Sequence, residues 1–258
     1  MNFLFTDRIV LITGGSKGIG RMMAEAFVRE NAHVIICARG KFTDVVKELP
    51  AKVTFYTVDA RKSEDIEKVV SRIKKKFGKI DILINNVGEV GRFGGLFDLT
   101  DSDWRNAYDI NFLSAVFFSR AAIPLLRMSD CGRIINMSSI VAHQPGFFNP
   151  HYGAAKAAML HFNKYLALFL GKDNILVNAI CPSAVKEGIW KSNVQDRANR
   201  DALSLEEAAN IMEQEESKKS PLGKMPRVDD IINLVFFLSS PLNMAITGSF
   251  IDIDEGIR

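Results

Sequence analysis

Residues that build disulfides or strong charge fields are scarce in this chain of 258 residues. It has three cysteines and four histidines, and its formal net charge is only +3. Cys37, Cys131 and Cys181 lie in or beside apolar runs, so we interpret them as small core residues of a reduced, cytoplasmic protein, not a disulfide framework. A positive charge this mild and scattered favours neither nucleic acid nor an anionic membrane as partner.

Long uninterrupted apolar runs are also few. We expect no secretory signal and no transmembrane stretch, because the opening MNFLFTDRIVLIT runs straight into a strand pattern and Arg120 and Lys164 interrupt the apolar helices. The chain is 47% hydrophobic and 24% charged, which allows a substantial core. Since no linker, repeat or low-complexity tract is found, we predict a single domain over residues 1–258 in a soluble, cytoplasmic protein.

Short β-branched runs alternate with longer helical patterns along the chain. The predicted strands are RIVLIT from Arg8, HVIICA from His33, KVTFYTV from Lys52, KIDILIN from Lys79, GRIINMS from Gly132, ILVNAI from Ile175 and SFIDID from Ser249. The helical patterns lie near 18–30, 63–77, 101–127, 152–170 and 227–239. Several strands lack polar alternation, as strands covered on both faces do. We therefore predict an α/β fold with a seven-stranded parallel sheet and helices on both faces.

Two features depart from an ordinary surface, a pair of apolar helices and a charged insert. The helices over 107–126 and 152–170 are apolar nearly all round, which is typical of a deeply embedded core helix or, as we favour, of a subunit interface. A charged insert, Asn193–Lys219, is also present. Its default interpretation is a solvated helix, and the functional alternative is a mobile lid over a site. We expect Trp190 to pack under that lid.

A glycine-rich turn, TGGSKGIG (Thr13–Gly20), follows the first strand and opens the first helix. Glycines let the backbone approach a ligand closely, and the helix N-terminus offers free N–H groups to a phosphate. Many turns use glycine, but in this position of a strand–helix–strand unit the pattern predicts a dinucleotide site.

The end of the second strand bears on which dinucleotide is bound. NAD-binding units place an acidic residue about twenty positions beyond the glycines to hold the ribose hydroxyls. Here the segment is ICARGK, with Arg39 and no acid, and Lys17 adds a cation within the glycine turn. A guanidinium can pair with a 2′-phosphate through two hydrogen bonds, so the pattern favours NADP(H) over NAD(H). Two solvated basic residues are the ordinary alternative.

A tyrosine and a lysine stand four positions apart in the alanine-rich segment HYGAAKAAMLHF (His151–Phe162). Tyr152 and Lys156 therefore share one face of a helix. Their apolar neighbours indicate burial, and a buried ammonium without an anionic or polar partner costs several kcal/mol. Either a carboxylate lies nearby, or the partner is not protein.

With YGAAK and the glycine turn, three further motifs closely resemble the short-chain dehydrogenase/reductase family in its shorter form, over essentially the whole chain. NNVG (Asn85–Gly88) resembles the family's Asn-Asn-Ala-Gly turn, and DIN ending at Asn111 resembles its helix-four asparagine motif. INMSS ending at Ser139 places a serine at the family's distance before the tyrosine. The resemblance implies a single-domain Rossmann fold.

The resemblance also implies a site. The catalytic residues would be Asn111, Ser139, Tyr152 and Lys156, with Ser138 as the alternative serine and an ordinary buried polar residue as the alternative for Asn111. The implied cofactor contacts are Gly14, Ser16, Lys17, Gly18, Ile19, Gly20, Arg39, Asp59, Ala60, Asn86, Val87, Gly88, Tyr152, Lys156, Pro182 and Val185; no metal is expected. Asp59 matches the acid that meets the adenine amino group.

In the implied mechanism Lys156 holds the nicotinamide ribose and lowers the pKa of the Tyr152 phenol from about 10. Tyr152 then donates a proton to the substrate carbonyl, Ser139 holds that oxygen, and Asn111 kinks its helix and anchors a water. His143 and His151 flank this site as structural or wall residues.

One segment departs from the family pattern. In CPSAVKEG, Ser183 replaces a glycine and Glu187 stands where a threonine is common, which puts the side-chain bond to the nicotinamide amide in doubt. Val185 and the backbone can still make that contact. Val87 in place of alanine crowds the cofactor floor slightly.

We therefore expect an NADPH-dependent carbonyl reductase that forms a homotetramer or a dimer. One alternative is a 3-oxoacyl-[acyl-carrier-protein] reductase; it is not favoured because Asp130 and Asp173 stand where that subfamily often has arginines facing an acidic carrier. A second alternative is a non-catalytic NADP(H)-binding sensor or scaffold. The substrate is expected to be a small carbonyl compound or acyl thioester, against an apolar wall that includes Phe147 and Phe148.

Overall fold

The computed structural model describes residues 5–39 and 52–257. Seven parallel strands in these residues form one sheet: β1 Ile9–Thr13, β2 His33–Ala38, β3 Val53–Thr57, β4 Ile82–Asn85, β5 Arg133–Met137, β6 Leu176–Pro182 and β7 Phe250–Ile253. Their order is β3-β2-β1-β4-β5-β6-β7. The strand order reverses between β1 and β4, which opens a crevice at their carboxyl ends. The predicted seven-stranded parallel sheet is confirmed.

Strand β4 begins three residues later than predicted. The side chain of Asp81 is fully buried and accepts hydrogen bonds from Lys79 Nζ at 2.9 Å, Arg8 Nη1 at 3.3 Å and the backbone N–H of Ile9 at 2.8 Å. This carboxylate ties the start of β1 to the start of β4. The segment before Ile82 is thereby fixed by side-chain bonds at the amino end of the sheet, opposite the crevice.

Helices cover both faces of the sheet. They are α1 Gly18–Arg29, α2 Ser63–Phe77, α3 Asp101–Tyr108, α4 Ser114–Leu126, α5 Pro150–Leu170, α6 Ile189–Asp201, α7 Leu205–Lys219 and α8 Val228–Ser239. The first and last of these pack on one face, and α2, α4 and α5 pack on the other. All five predicted helical stretches are confirmed.

Successive residues of β1 point into different cores. Val10 and Ile12 pack with α1 and α8, whereas Ile9 and Leu11 pack with the helices of the opposite face. Each such side chain contributes roughly 1.5–3 kcal/mol when it is fully removed from water. Burial on both faces explains why this strand carries no polar alternation. Cys37 and Cys181 lie in this interior; the prediction was wrong for Cys131, which is only half-buried because it precedes β5 in a turn.

The helix predicted near 101–127 is interrupted by a π-helical turn. Asp109–Leu113 forms that turn and joins α3 to α4 without a break in the helical run. By length and composition alone, the combined stretch Asp101–Leu126 passes as long and apolar enough to cross a membrane, although half of its most apolar part is buried inside the protein. No such stretch was predicted from the sequence, because Arg120 interrupts the apolar run.

The charged insert folds as two helices, α6 and α7, with their own small apolar cluster. Trp190 is buried there with Val194, Ala198, Ala208 and Met225, as predicted for the tryptophan. Helix α7 begins at a capping box, in which the Ser204 hydroxyl accepts from the N–H of Glu207 and the Glu207 carboxylate accepts from the N–H of Ser204. The insert is therefore an ordered element.

One face of α5 remains exposed and carries large apolar side chains. Leu168, Tyr165 and Phe169 are 76%, 54% and 45% exposed. The rings of Tyr165 and Phe169 stack at 5.9 Å between centroids. The opposite face of α5 packs on the sheet through Leu166 and Leu170. The core interpretation therefore holds for one side of this helix only.

Candidate active site

The glycine turn lies at the carboxyl end of β1, in the crevice. Gly18 adopts a φ of +55°, which favours glycine, and a Cβ there would lie 3.0 Å from the Cα of Gly188. A Cβ on Gly20 would lie 2.5 Å from the carbonyl oxygen of Gly14 and from Asn86 Nδ2. The turn is therefore in close contact with Gly188, which immediately precedes α6, on one side and with the turn after β4 on the other.

Helix α1 begins in this turn without a side-chain cap. Lys17 is its N-cap residue in an extended conformation, and the first turn contains no acidic residue. The first N–H groups of a helix have no intrahelical acceptor and carry a partial positive charge. This helix end, with the exposed Lys17 beside it, fits an anionic group such as a phosphate.

The turn after β4 is tied to the glycine turn by two side chains. Asn86 Nδ2 donates to the carbonyls of Thr13 at 3.0 Å and Gly14 at 3.3 Å. In return, Thr13 Oγ1 accepts from the N–H groups of Asn86 at 2.9 Å and Val87 at 3.2 Å. These bonds fix the two carboxyl ends that border the crevice. Val87 is partly buried there, and Gly88 is exposed.

Ser139, Tyr152 and Lys156 come together at the same edge of the sheet. Ser139 directly follows β5 and its short extension at Ser138, and Tyr152 lies in the first turn of α5 with Lys156 one turn further. The Ser139 hydroxyl lies close enough to the Tyr152 phenol to lower its pKa. Lys156 Nζ lies 5.6 Å from the centroid of the Tyr152 ring.

Lys156 is buried and bound by backbone, not by an acid. Its side chain is 3% exposed and Nζ donates to the carbonyl of Met137 at 2.8 Å. Ser138 Oγ donates to the Lys156 carbonyl at 3.0 Å, which holds this part of α5 against β5. Within residues 5–39 and 52–257, no carboxylate pairs with the ammonium. A buried cation held this way fits a hydroxyl-bearing ligand in the crevice.

Burial dominates the titration of this pair. Burial raises the pKa of Tyr152 to about 12, although the Ser139 hydroxyl acts in the opposite direction. Burial also lowers the pKa of Lys156 to about 8. The expectation that Lys156 lowers the pKa of Tyr152 is therefore wrong for the protein alone. The phenolate loses more by leaving water than it gains from an ammonium 5.6 Å from the centroid of its ring.

Asn111 lies in the π-helical turn, fully buried. Its Nδ2 donates to the carbonyls of Ala107 at 3.0 Å and Glu89 at 2.8 Å, and its Oδ1 accepts from the N–H of Glu89 at 3.0 Å. The predicted kink is present as a π turn. Both amide hydrogens are used to tie the helix to the segment after β4, which leaves one lone pair of Oδ1 for a water.

The residues predicted to contact the adenosine end already have partners within the chain. Arg39 Nη2 lies 3.1 Å from Glu89 Oε2, with both side chains about half exposed. Asp59 is bound by the Arg61 guanidinium at 2.7 and 3.0 Å, which lowers the pKa of Asp59 to about 2. Ala60 beside it is buried. The last two residues of the ICARGK motif lie outside the described ranges.

The segment after β6 runs along the crevice. Pro182 and Val185 are buried, and the Pro182 carbonyl accepts from Ser139 Oγ at 3.4 Å. Glu187 bonds through its N–H to the Val185 carbonyl at 2.7 Å and pairs with Lys191 at 3.3 Å. The glutamate that replaces the usual threonine therefore forms a salt bridge with Lys191 in the first turn of α6.

Five exposed apolar side chains border the crevice on two loops, and we call them the aromatic mouth: Phe93, Leu96, Phe97, Phe147 and Phe148. They are 47% to 99% exposed. The Phe93 and Phe148 rings stack at 5.0 Å. Asn149 joins the loops, because its N–H donates to the Gly94 carbonyl at 2.8 Å and its Oδ1 accepts from the Gly94 N–H at 3.2 Å. Only Phe147 and Phe148 were predicted for this wall.

A row of hydrogen-bonded asparagine side chains is buried behind the site and was not predicted from the sequence. Asn85 Nδ2 donates to Asn136 Oδ1 at 2.9 Å, and Asn136 Nδ2 donates to Asn163 Oδ1 at 3.0 Å. The chain links β4, β5 and α5. Its signal was the presence of asparagines inside otherwise apolar strand and helix patterns. His151 is buried, and its ring packs edge-on against Trp104 at 6.1 Å between centroids.

Comparison with known proteins agrees with this geometry. The family model described as short chain dehydrogenase matches residues 8–198. The 3-oxoacyl-[acyl-carrier-protein] reductase FabG of Salmonella typhimurium is 30% identical over 255 residues, which are 98% of each chain. A tropinone reductase homolog of Arabidopsis thaliana is 31% identical over 256 residues, 97% of this chain and 91% of its own.

Solved structures give the same result. L-sorbose reductase from Gluconobacter frateurii, determined in complex with NADPH and L-sorbose, matches with a TM-score of 0.90 at 28% identity. The match covers 100% of this chain and 98% of that chain.

Proposed function

Because the chain belongs to the short chain dehydrogenase family, we propose that it is an NADPH-dependent enzyme that reduces the carbonyl of a ketone or a 3-oxoacyl group to an alcohol. The coarser activity is that of an oxidoreductase acting on CH–OH or C=O groups. One observation carries the proposal: Tyr152, next to Ser139, lies beside a buried Lys156 without a carboxylate partner in the described residues.

Tyr152 is the proton donor in this mechanism. A pKa of about 12 keeps the phenol protonated at neutral pH, as a general acid must be. Its O–H donates to the carbonyl oxygen of the substrate while the Ser139 hydroxyl donates a second hydrogen bond to the same oxygen. When bound, the nicotinamide would supply the hydride for the carbonyl carbon. General acid catalysis of this kind is worth about 10²–10⁴-fold.

Lys156 stabilises the charge that develops on Tyr152. The phenol becomes a phenolate when its proton leaves, and the ammonium lies on the same helix face, 5.6 Å from the ring centroid. Its pKa of about 8 keeps the ammonium largely charged at pH 7. Asn111 holds the segment after β4 in place and offers one free lone pair to a water that returns the proton.

The glycine turn and the start of α1 fit the pyrophosphate of a dinucleotide. The helix offers uncapped N–H groups with no acidic residue in its first turn. We propose NADPH over NADH because Lys17 and Arg39 border this site and β2 ends without an acid. The complex of the sorbose reductase with NADPH supports the same choice. Glu89 competes for Arg39, so a 2′-phosphate must displace that carboxylate.

The aromatic mouth favours a substrate with an apolar substituent next to its carbonyl. Its rings present apolar surface immediately before α5, where Tyr152 lies. Burying that surface against an apolar ligand yields roughly 25 cal/mol per Å².

A 3-oxoacyl group carried on acyl carrier protein is the second candidate, favoured by the name of the Salmonella relative. Asp130 and Asp173, which argued against a carrier protein in the sequence, both form salt bridges in the structure. Asp130 pairs with Arg8, and Asp173 lies 2.8 Å from Arg127. Pairing reduces their repulsion of an acidic carrier without creating a basic patch.

The experiment follows NADPH oxidation against matched ketones, sugars, quinones, and 3-oxoacyl thioesters on coenzyme A and on carrier protein, with NADH beside it. We expect turnover with an apolar ketone or acyl thioester and a preference for NADPH. A preference for the carrier thioester over the same coenzyme A thioester would establish the second candidate. Tight NADPH binding without turnover across the panel would contradict catalysis and favour a sensor or scaffold.

We also propose that the protein is a single domain, forms a homo-oligomer, a tetramer or a dimer, and is cytoplasmic. The exposed face of α5 with Leu168, Tyr165 and Phe169 supports the assembly, because apolar patches of this kind are typical of protein contacts. Sedimentation velocity of the wild type and of Leu168→Glu tests it: a smaller species for the variant is expected, and a monomeric wild type would contradict it.

A further inference from the structure

Three side chains that the reaction does not use meet at the carboxyl end of β6 and β7. Cys181 and Asp252 are direct neighbours across these parallel strands, and His143 follows the 3₁₀ turn Ile140–Ala142 after β5. One donor atom of each residue lies within 4.8 Å of the other two. His143 Nε2 and Asp252 Oδ1 are 2.9 Å apart. Among the described residues, this is the one His/Cys/Asp/Glu group with such spacing.

We propose that His143, Cys181 and Asp252 form a binding site for a thiophilic divalent cation of the zinc class. A thiolate, an imidazole and a carboxylate are the donors that zinc takes in proteins, whereas magnesium and calcium take oxygen donors. Three protein ligands leave a fourth position to water, as in open zinc sites. Nothing in the reductive mechanism calls on this donor set.

The geometry needs only side-chain adjustment. Ligand atoms at about 2.0–2.3 Å from one tetrahedral ion lie roughly 3.3–3.7 Å from each other. The donor atoms of His143 and Asp252, 2.9 Å apart, must separate by about 0.4 Å, and no separation in the group must shorten by more than about 1 Å. The side chains of His143 and Asp252 are 25% and 32% exposed and can rotate, while Cys181 is anchored on a buried strand.

A histidine–carboxylate hydrogen bond is the ordinary explanation for the 2.9 Å separation. It does not account for a thiol at the same point, where Cys181 stands directly opposite Asp252 on the neighbouring strand and within 4.8 Å of both donor atoms. Burial raises the pKa of this thiol to about 12. When the sulfur–metal bond forms, the S–H bond therefore breaks and its proton passes to solvent, with no change of oxidation state.

The surroundings favour entry of a cation. Asp252 also lines a cavity of about 520 Å³, whose wall carries three further carboxylates, those of Asp230, Asp254 and Glu255. Lys224 approaches Glu255 only to 3.8 Å. Concave surfaces lined by one sign of charge concentrate counter-ions, so this acidic wall raises the local concentration of divalent cations next to Asp252.

Cadmium tests the site directly, since a cadmium–thiolate bond absorbs in the ultraviolet. The full chain, free of chelators and thiol reductants, is titrated with Cd²⁺. We expect a charge-transfer band that saturates at one equivalent of Cd²⁺ per chain. Added Zn²⁺ should displace Cd²⁺ and remove the band, and the band should be absent in Cys181→Ser. His143→Gln and Asp252→Asn should weaken the affinity about tenfold or more. Cys131→Ser is the matched control, because that thiol is more accessible, and it should keep the band.

A band that persists in Cys181→Ser, or that disappears in Cys131→Ser, would overturn the proposal, as would the absence of a band in the wild type. If Cys181→Ser does not fold, the surface variants decide: unchanged cadmium affinity in both His143→Gln and Asp252→Asn contradicts the site. Binding is read without substrate or NADPH, so the result does not depend on the proposed reaction.

Discussion

The glycine turn and the aromatic mouth border the same crevice, but different contacts build them. The first is held by backbone approach and by buried polar bonds, such as those of Asn86 to the carbonyls of Thr13 and Gly14. The second presents exposed rings on two loops joined through Asn149. A polar site that must fit a fixed group is preorganised, whereas an apolar wall adapts to shape. We therefore propose that the cofactor side specifies the chemistry and that the mouth selects the substrate.

Replacing Lys156 should give the largest effect. Lys156→Met removes the charge that stabilises the Tyr152 phenolate, and we expect turnover to fall by about 10²–10⁴-fold. The free energy of unfolding at pH 7 should not fall, because the variant buries no ammonium. Lys164→Met, two turns further on the exposed side of α5, is the control and should keep activity.

The same variant gives a pH signature. The folded lysine has a pKa of about 8 and the unfolded one about 10.5, so between these values the unfolded chain binds the extra proton. The stability of the wild type should therefore rise relative to Lys156→Met as the pH increases from 8 to 10.5. Denaturant unfolding at several pH values measures this; a parallel pH dependence of the two proteins would contradict the burial of a charged Lys156.

Gly20→Ala should break the preorganised side through the backbone. The added Cβ would lie 2.5 Å from the Gly14 carbonyl, so the glycine turn must move. We expect a loss of about 1–3 kcal/mol in stability and weak NADPH binding. Gly171→Ala adds a methyl group with nothing within 4 Å and should stay within about 0.5 kcal/mol. Thermal unfolding measures the stability of the two variants, and titration calorimetry measures their NADPH affinity. Equal stability and equal affinity would show that the glycine turn accommodates the added methyl group without cost.

Arg39→Ala should sharpen the cofactor assignment. Losing a charge-assisted pair costs about 1.5–3 kcal/mol, so kcat/KM for NADPH should fall about 10-fold or more. The value for NADH should hardly change, since NADH has no 2′-phosphate. Arg29→Ala, exposed at the other end of α1, serves as the control. Steady-state kinetics with both cofactors measure this, and a parallel loss for NADH would refute phosphate recognition by Arg39.

The smallest effect is expected at the aromatic mouth. Phe148→Ala removes a ring that stacks on Phe93, worth about 0.5–1.5 kcal/mol, so KM for an apolar substrate should rise about 2–10-fold with kcat nearly unchanged. Phe147→Ala removes a ring that is 97% exposed and should change KM less. A fall in kcat instead of a rise in KM would place Phe148 in the chemical step.

Periodicity predicted the sheet and the helices because both depend on local patterns. Helix α2 begins and ends at the predicted residues, and the strands differ mainly at their ends. Contacts between distant segments were not predictable: Arg39 pairs with Glu89 across 50 positions, and His143 meets Asp252 across 109 positions. The local pair of Asp59 and Arg61 was also missed, because the motif match assigned Asp59 to a ligand. The direction of the Tyr152 shift was also wrong, because its pKa depends on three-dimensional burial that spacing to Lys156 does not report.

Tyr152→Phe tests the central claim most directly, with Tyr165→Phe on the exposed face of the same helix as the control. The variant keeps the ring and loses only the hydroxyl. We predict that turnover with the best substrate falls by at least about 100-fold while NADPH binds with unchanged affinity, and that the control retains full activity. Undiminished turnover by Tyr152→Phe would contradict the assignment of the phenol as the proton donor.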